Sequence, residues 1–389
     1  MASKSSNTKN PEYLSAAFIS DIHLGAQNTQ TQHIIRNLDA MFPNNEITAQ
    51  LDVIYIAGDV FDRDLMLTDP QVMDIQLWIF RFLRMCKQHD IQVRVLKGTP
   101  SHDWNQCLYF EHCNDQGNIG CDLVYHAKLG IEHQSRFGLN VLYIPDEWQP
   151  TTDQTWEDVQ TKMMEKQLTS VDIVIMHGMF GFQLPEIDHL DKHSEERYLG
   201  ITDLVIVCGH VHQANHFDRI YIPGSPDRLC HGDEEDKSHL RMRFYRDPKQ
   251  PNRFTPKDRH IERLRNKNAK VYQTVDCGGL TMEESLDRLR LRAESVPSDS
   301  HLRIKAPADH PVIRAITVLR GSHPLINWST KRVTDSGRPA EKLIGVRKTY
   351  EAVQITQDNI SPIVGDKLKT MSDNDVFVQR ALQLLVPMT

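Results

Sequence analysis

Asp203-Leu-Val-Ile-Val-Cys-Gly-His-Val-His212 decides how this chain is read. A run of leucine and β-branched side chains predicts a strand buried on both faces. Gly209 permits a sharp turn as the strand leaves its sheet. In extended backbone, His210 and His212 project to the same side. Two imidazoles at the carboxyl end of a central strand stand where open α/β sheets bind ligands. The pair is therefore a candidate metal site. The plainer alternative is two surface histidines in a loop.

The same pattern recurs upstream. Ala16-Ala-Phe-Ile-Ser20 predicts a short buried strand running into Asp21-Ile-His23. A strand over 51–57 runs into Gly58-Asp-Val-Phe-Asp-Arg63, and one over 91–96 into Gly98-Thr-Pro-Ser-His-Asp103. A strand over 171–176 ends in His177-Gly178. Apolar residues at helical spacing predict helices over 30–41 and 70–87, between the early strands. Strand-helix alternation of this kind predicts an α/β core with covered sheet faces. Further strands are expected over 123–126, 139–144, 217–222 and 240–245, with a helix over 157–168. Residues 246–268, rich in Arg, Lys, Pro and Asn, read as a polar excursion before a strand over 270–275.

A boundary falls near Gly278-Gly279. Thr281-Met-Glu-Glu284 has the capping-box pattern and opens a predicted helix. Strands over 301–305 and 325–333, flanking a helix with Val312, Ile316 and Leu319, complete a small α+β module. The expected division is a disordered tail over 1–13, an α/β domain over 14–279, a small α+β module over 280–350 and a C-terminal segment over 351–389. A short amphipathic helix over 376–386 is a candidate docking element in that last segment.

Composition narrows the class. The 389 residues are 39% hydrophobic and 25% charged, as in ordinary globular proteins. A net charge of −7 lends no global support to nucleic-acid binding, so any such surface must be local. Seven scattered cysteines without a CxxC pair argue for a reducing compartment. No secretory signal or membrane-spanning run is visible, so a cytoplasmic protein with no membrane partner is expected.

Five strand exits thus carry candidate ligands: Asp21 and His23, Asp59, Ser101 and His102, His177, and His210 with His212. Two divalent ions about 3.5–4 Å apart need a shared carboxylate, for which Asp59 is the natural choice. Several imidazoles favour manganese or zinc over magnesium. Such a pair suits phosphoester hydrolysis.

Asp21-x-His23, Gly58-Asp-x-x-Asp62, the Gly…His102-Asp103 element, His177-Gly178 and Gly209-His-x-His212 together resemble the signature of the calcineurin-like metallophosphoesterases. Within that superfamily the chain most resembles the SbcD nucleases and their Mre-eleven counterparts, including phage versions. That finer likeness rests on Ile222-Pro-Gly-Ser-Pro-Asp-Arg228 and Gly232-Asp-Glu-Glu-Asp-Lys237. The resemblance implies an α/β fold, a two-sheet sandwich flanked by helices with a small α+β capping domain. It implies that Asp21, His23, Asp59 and His212 hold one ion, and that Asp59, His177 and His210 hold the other. His102 would protonate the leaving oxygen. Asp62, Arg63 and Asp103 are candidates to support the ligands, and Asp62 reads equally as a cap on the following segment that holds Arg63. Manganese would be the ion, with magnesium the alternative. Duplex ends and single-stranded DNA would be substrates, and the partners an SbcC-type coiled-coil ABC ATPase and a second copy in a homodimer. The setting would be the cytoplasm of a bacterial or phage-infected cell.

The chain departs from the family where an asparagine usually precedes the third-motif histidine. Ser101 is the nearest substitute ligand there. Arg228, Arg241, Arg243 and Arg303 are candidate DNA contacts, since guanidinium groups bind phosphates without reading sequence. His89, His112, His126, His133, His216 and Cys208 read as packing or surface residues. Cys230-His231 is a possible neighbour of the site, and the acidic run 233–236 reads as a solvated turn. Two other functions stay open: a general phosphoesterase on small or protein substrates, and a non-catalytic scaffold.

Overall fold

Residues 53–57 alternate between two cores, which explains their unbroken apolar run. Val53, Tyr55 and Ala57 face one apolar cluster, while Ile54 and Ile56 face another. The strand therefore lies in a sheet covered on both sides. The computed structural model describes residues 12–66, 68–183 and 191–333.

The first sheet contains β1 (Tyr13–Ile19), β2 (Val53–Ala57), β3 (Gln92–Leu96) and β4 (Leu123–His126), paired in parallel in that order. The second contains β5 (Gly130–Gln134), β6 (Leu139–Ile144), β7 (Val171–His177), β8 (Thr202–Gly209), β9 (Asn215–Phe217) and β10 (Ile220–Ile222). Its inner strands β6, β7, β8 and β10 are parallel. The chain then returns to the first sheet through β11 (Ser238–Asp247) and β12 (Gln250–Arg265), with β11 antiparallel to β1.

The two sheets pack face to face. Phe18, Tyr55 and Leu96 meet Tyr143, Ile173, Ile175 and Val207 in the shared core. On the outer face of the first sheet lie α1 (Thr31–Met41), α3 (Gln71–Gln88) and α5 (Leu108–Gln116), while the short α2 (Glu46–Ala49) precedes β2 and α4 (Pro100–Asp103) follows β3. The second sheet is covered by α6 (Thr152–Glu165) and α7 (Glu195–Ile201). The expected α/β sandwich flanked by helices is what forms.

A third, smaller sheet has the order β13 (Tyr272–Asp276), β14 (His301–Pro307), β15 (Asn327–Val333). It packs with α8 (Met282–Ser295) and α9 (Ile316–Ser322) around Leu289, Leu302, Ile304, Leu319 and Trp328. The capping box on Thr281 and Glu284 is present. This layer takes in β13, which precedes Gly279. The terminal helix expected over 376–386 lies outside the described residues.

Two local expectations fail. Residues 217–222 form not one strand but a hairpin, β9 and β10, turned at Asp218 with φ 50°. Residues 246–268 are not a polar excursion: most of them belong to β12, which pairs with β11 along most of its length. Few of the described side chains of β12 are buried, Phe254 among them. Its charged alternation is that of a strand at the edge of a sheet. Among the described residues no helix is long and apolar enough to cross a membrane.

Candidate metal centre

The parallel strands of both sheets bring their carboxyl ends to one edge, and the loops that leave them are stitched together there. Asp21 N donates to Gly58 O at 3.1 Å, and His23 N to Asp59 O at 3.1 Å. His177 Nδ1 reaches Ala57 O across the two sheets at 2.7 Å. Glycines make the approach possible. A Cβ on Gly58 would overlap the His177 ring, and one on Gly98 would overlap the Asp59 amide. Gly209 also serves close approach rather than a left-handed turn: a Cβ there would meet Ala57 O and the His177 ring.

Four side chains of this cluster rest on left-handed backbone. Asp21, His23, Asp59 and His210 have φ of 53°, 54°, 50° and 99°. Non-glycine residues persist there only when their surroundings dictate it, and such positions gather at functional sites.

Three overlapping groups result: Asp21, His23 and His212; His23, Asp59 and His102; Asp59, His177 and His210. In each, the possible ligand atoms lie within 4.8 Å of one another. Asp59 belongs to two groups, and its Oδ2 stands 3.8 Å from His23 Nε2, 3.2 Å from His177 Nε2 and 2.9 Å from His102 Nδ1.

The donor set fits divalent cations. The Nε2 atoms of His23 and His212 face each other at 3.0 Å, a contact that needs a proton or a cation between two lone pairs. Asp21 Oδ2 and His177 Nε2 are buried without a hydrogen bond. His177 Nε2 is near enough to Asp59 for charge attraction but not aligned for a hydrogen bond. Of the outer ring nitrogens, that of His177 is hydrogen-bonded, as in metal-ligating histidines, while those of His23 and His210 lie within ion-pair reach of carboxylates. His23 Nδ1 faces Asp62 Oδ1 at 3.2 Å, and His177 Nδ1 faces Ala57 O.

Electrostatics run the same way. Burial pushes the Asp59 carboxyl up, but His177, His102 and His23 together outweigh it and hold it far below the usual carboxylate range. Burial pulls His177 down, yet Asp59, Asp21 and Asp146 lift it well above an ordinary imidazole. The bond to Asp59 raises His102. A cluster that binds protons this firmly offers the same lone pairs to a metal, which competes for them.

The family model for calcineurin-like phosphoesterases matches residues 14–214, over half the chain. The chain belongs to that family. This phosphoesterase has no match among curated proteins. Among solved structures, TT1561 of Thermus thermophilus is 12% identical, with 59% of this chain and 93% of that one covered and a TM-score of 0.35. A second solved structure is 10% identical, with 65% and 99% covered and a TM-score of 0.37. Members of the family use divalent metals, and the Asp/His groups of this phosphoesterase are where they would sit.

Of the residues singled out in the sequence, Asp21, His23, Asp59, His102, His177, His210 and His212 meet at the cluster. Asp103 is fully buried and accepts from the amides of Asp59, Phe61 and Gly98, tying two strand exits together. Asp62 serves His23, while Arg63 pairs with Asp69 at 3.5 Å.

Ser101 stands apart. It is exposed, and its carbonyl accepts from Trp104 Nε1. Pro100–Asp103 forms a helical turn that rotates Ser101 outward and leaves Thr99 at its N-cap, facing in. The hydroxyl at the cluster is therefore that of Thr99, which donates to Asp146 Oδ2 at 2.9 Å and lies 3.3 Å from Asp59 Oδ2.

Asp146 went unread in the sequence. It lies just beyond β6, with Oδ2 3.4 Å from His210 Nδ1. Burial raises its carboxyl, but His210 and His177 bring it below the usual range. It obeys the strand-exit rule that exposed its neighbours, but Pro145-Asp146-Glu147 looks like an ordinary turn. The acidic run 233–236 is also not wholly solvated. Asp233 is buried, pairs with the buried Lys237 and lies 3.9 Å from His212 Nδ1.

The four arginines expected to touch DNA are engaged within the chain. Arg228 donates to carbonyls of Glu234, Glu235 and Lys270. Arg241 holds Met41 O and Ile47 O, Arg243 reaches Gln50, and Arg303 holds Thr274.

Proposed function

We propose that this phosphoesterase is a DNA nuclease of the SbcD type. In this reading it is an exonuclease on duplex ends and an endonuclease on single strands, and it serves double-strand break repair, recombination or replication. It would work as a homodimer with an SbcC-type ATPase in the cytoplasm, with manganese preferred and magnesium as the alternative ion.

The observation that carries the reading is the way the Pro-Gly-Ser…Arg loop is built onto the cluster. Ser225 N donates to His212 O at 3.1 Å, and a Cβ on Gly224 would strike that same carbonyl. Lys237, from the second family-like stretch, donates to His212 O at 3.2 Å. The two stretches on which the SbcD likeness rests therefore converge on one cluster histidine.

Bound divalent ions supply Lewis acidity to the phosphoryl oxygens and a nucleophile at neutral pH. The chain does the rest. Asp59 is the carboxylate shared between groups. The Ala57 carbonyl fixes the ring of His177, while Asp62 and Asp146 stand against His23 and His210. His102 bonds Asp59 through Nδ1, is 37% exposed, and keeps Nε2 available to protonate a leaving oxygen.

A second reading, a phosphoesterase on small or protein substrates, draws support from the arginines being engaged internally. Label release from linear duplex and single-stranded DNA, with manganese or magnesium, separates the two. Manganese-dependent cleavage is expected, with a loss of about 10²–10⁴-fold in His102→Ala. Intact DNA beside hydrolysis of p-nitrophenyl phosphate would overturn the nuclease reading. Inertness toward every ester would leave a scaffold.

A further inference from the structure

We propose that Trp104 sets substrate specificity in this centre, as a fixed aromatic platform on which a nucleobase next to the scissile phosphodiester stacks. The inference rests on the nuclease reading and narrows it to substrates that carry a planar base.

Trp104 directly follows the Pro100–Asp103 turn that contains His102. Its side chain is 50% exposed, although indoles are mostly buried in folded proteins. Its backbone sits at φ 46° and ψ −122°, a conformation glycine adopts readily and a bulky residue does not. The residue is held there from two sides. Its amide donates to Pro100 O at 3.2 Å, and its indole Nε1 donates to Ser101 O at 2.9 Å. A large aromatic ring is thus tethered in solvent, on strained backbone, two residues from the proposed proton donor. Core packing does not account for this placement, and strain of this kind collects at functional sites.

The neighbouring loop completes the surface. Gln106 accepts from Leu65 N at 2.9 Å and donates to Arg63 O at 2.7 Å, so residues 63–65 are bound to the segment that follows Trp104. That loop begins at Asp62, the partner of His23. Met66 on it is 65% exposed, and the Arg63 side chain is 39% exposed. An aromatic ring and a thioether on these adjoining segments suit a planar ligand, with the Arg63 guanidinium beside them already paired with Asp69. Nucleobases stack on aromatic side chains whatever their identity, which fits a nuclease that does not read sequence. A phosphoprotein or a simple alkyl phosphate has no base to place there.

The test compares thymidylyl-thymidine with the same dinucleotide lacking both bases, under manganese. Trp104→Ala should raise KM for the base-bearing substrate about 5- to 150-fold, the range that stacking energies convert to. It should leave kcat within about threefold, and Trp104→Phe should restore most of the loss. The abasic dinucleotide should not distinguish the variants. Trp104→Gly should bind as poorly as Trp104→Ala yet melt no lower than wild type, because it relieves the positive φ. Anisotropy of labelled oligothymidylate in EDTA, which needs no turnover, should show the same order of affinities.

Equal losses on both dinucleotides, no rescue by phenylalanine, or unchanged oligothymidylate affinity would each overturn the proposal. Base-dependent effects on the dinucleotide without cleavage of polymeric DNA would sink the nuclease reading and leave the platform standing. Cleavage of DNA by Trp104→Ala at wild-type KM would do the reverse.

Discussion

Thr99 and Ser101 show what one turn of backbone does to a motif. Counting back from His102 makes Ser101 the stand-in for a missing asparagine. The helical turn over Pro100–Asp103 instead points Ser101 to solvent and seats Thr99 against Asp59 and Asp146. Thr99→Val removes that hydroxyl at nearly constant volume, and manganese affinity measured by titration should fall about 10- to 100-fold, as for other residues that position ligands. Ser101→Ala should leave it unchanged; the opposite order would restore Ser101 as the ligand. The seven Asp and His residues of the cluster were legible because each follows an apolar run at a strand end. Asp146 and Thr99 were not, because a proline turn and an N-cap look alike wherever they occur. The left-handed φ values at Asp21, His23, Asp59 and His210 were equally hidden, since nothing in an aspartate or a histidine announces its backbone.

Among the elements, buried strands were legible and edge strands less so. β2 and β8 fill two cores and are apolar almost throughout, whereas β12 exposes most of its described side chains and reads as loop. The polar pairing between sheets could not be read at all. Arg94 on β3, only 4% exposed, forks onto Glu132 of β5 at 2.9 and 3.0 Å, and Tyr143 donates to the same carboxylate at 3.0 Å. Burial alone would raise the Glu132 carboxyl, but His126 and Arg94 bring it down to about 2. A depressed carboxylate stabilises the fold above its unfolded pKa of about 4.3, and that contribution fades as pH falls toward the folded value. The shift corresponds to on the order of 3 kcal/mol. Urea unfolding of Glu132→Gln should therefore show a deficit of about that size at pH 7, shrinking between about pH 4 and pH 2. A deficit independent of pH would mean that packing, not charge, links the sheets here.

At the scale of the whole molecule, two sheets and their crossovers exist to bring six strand exits to one edge, and Asp59 is where they meet. Its carboxylate lies within 4 Å of three imidazoles from three other loops. The α/β class and the covered sheets followed from apolar periodicity alone. Asp59 as the shared carboxylate was legible from the motifs at the strand exits; how closely the loops approach was not, because it depends on glycine-sized gaps at positions 58, 98 and 209 that appear only when the loops are in place. The claim that this edge is a shared two-ion centre is tested most directly by counting metal. Equilibrium dialysis of the purified chain against manganese, followed by elemental analysis, should find two ions per chain, and Asp59→Asn should lose at least one. One ion or none in wild type, or two retained in Asp59→Asn, would contradict it.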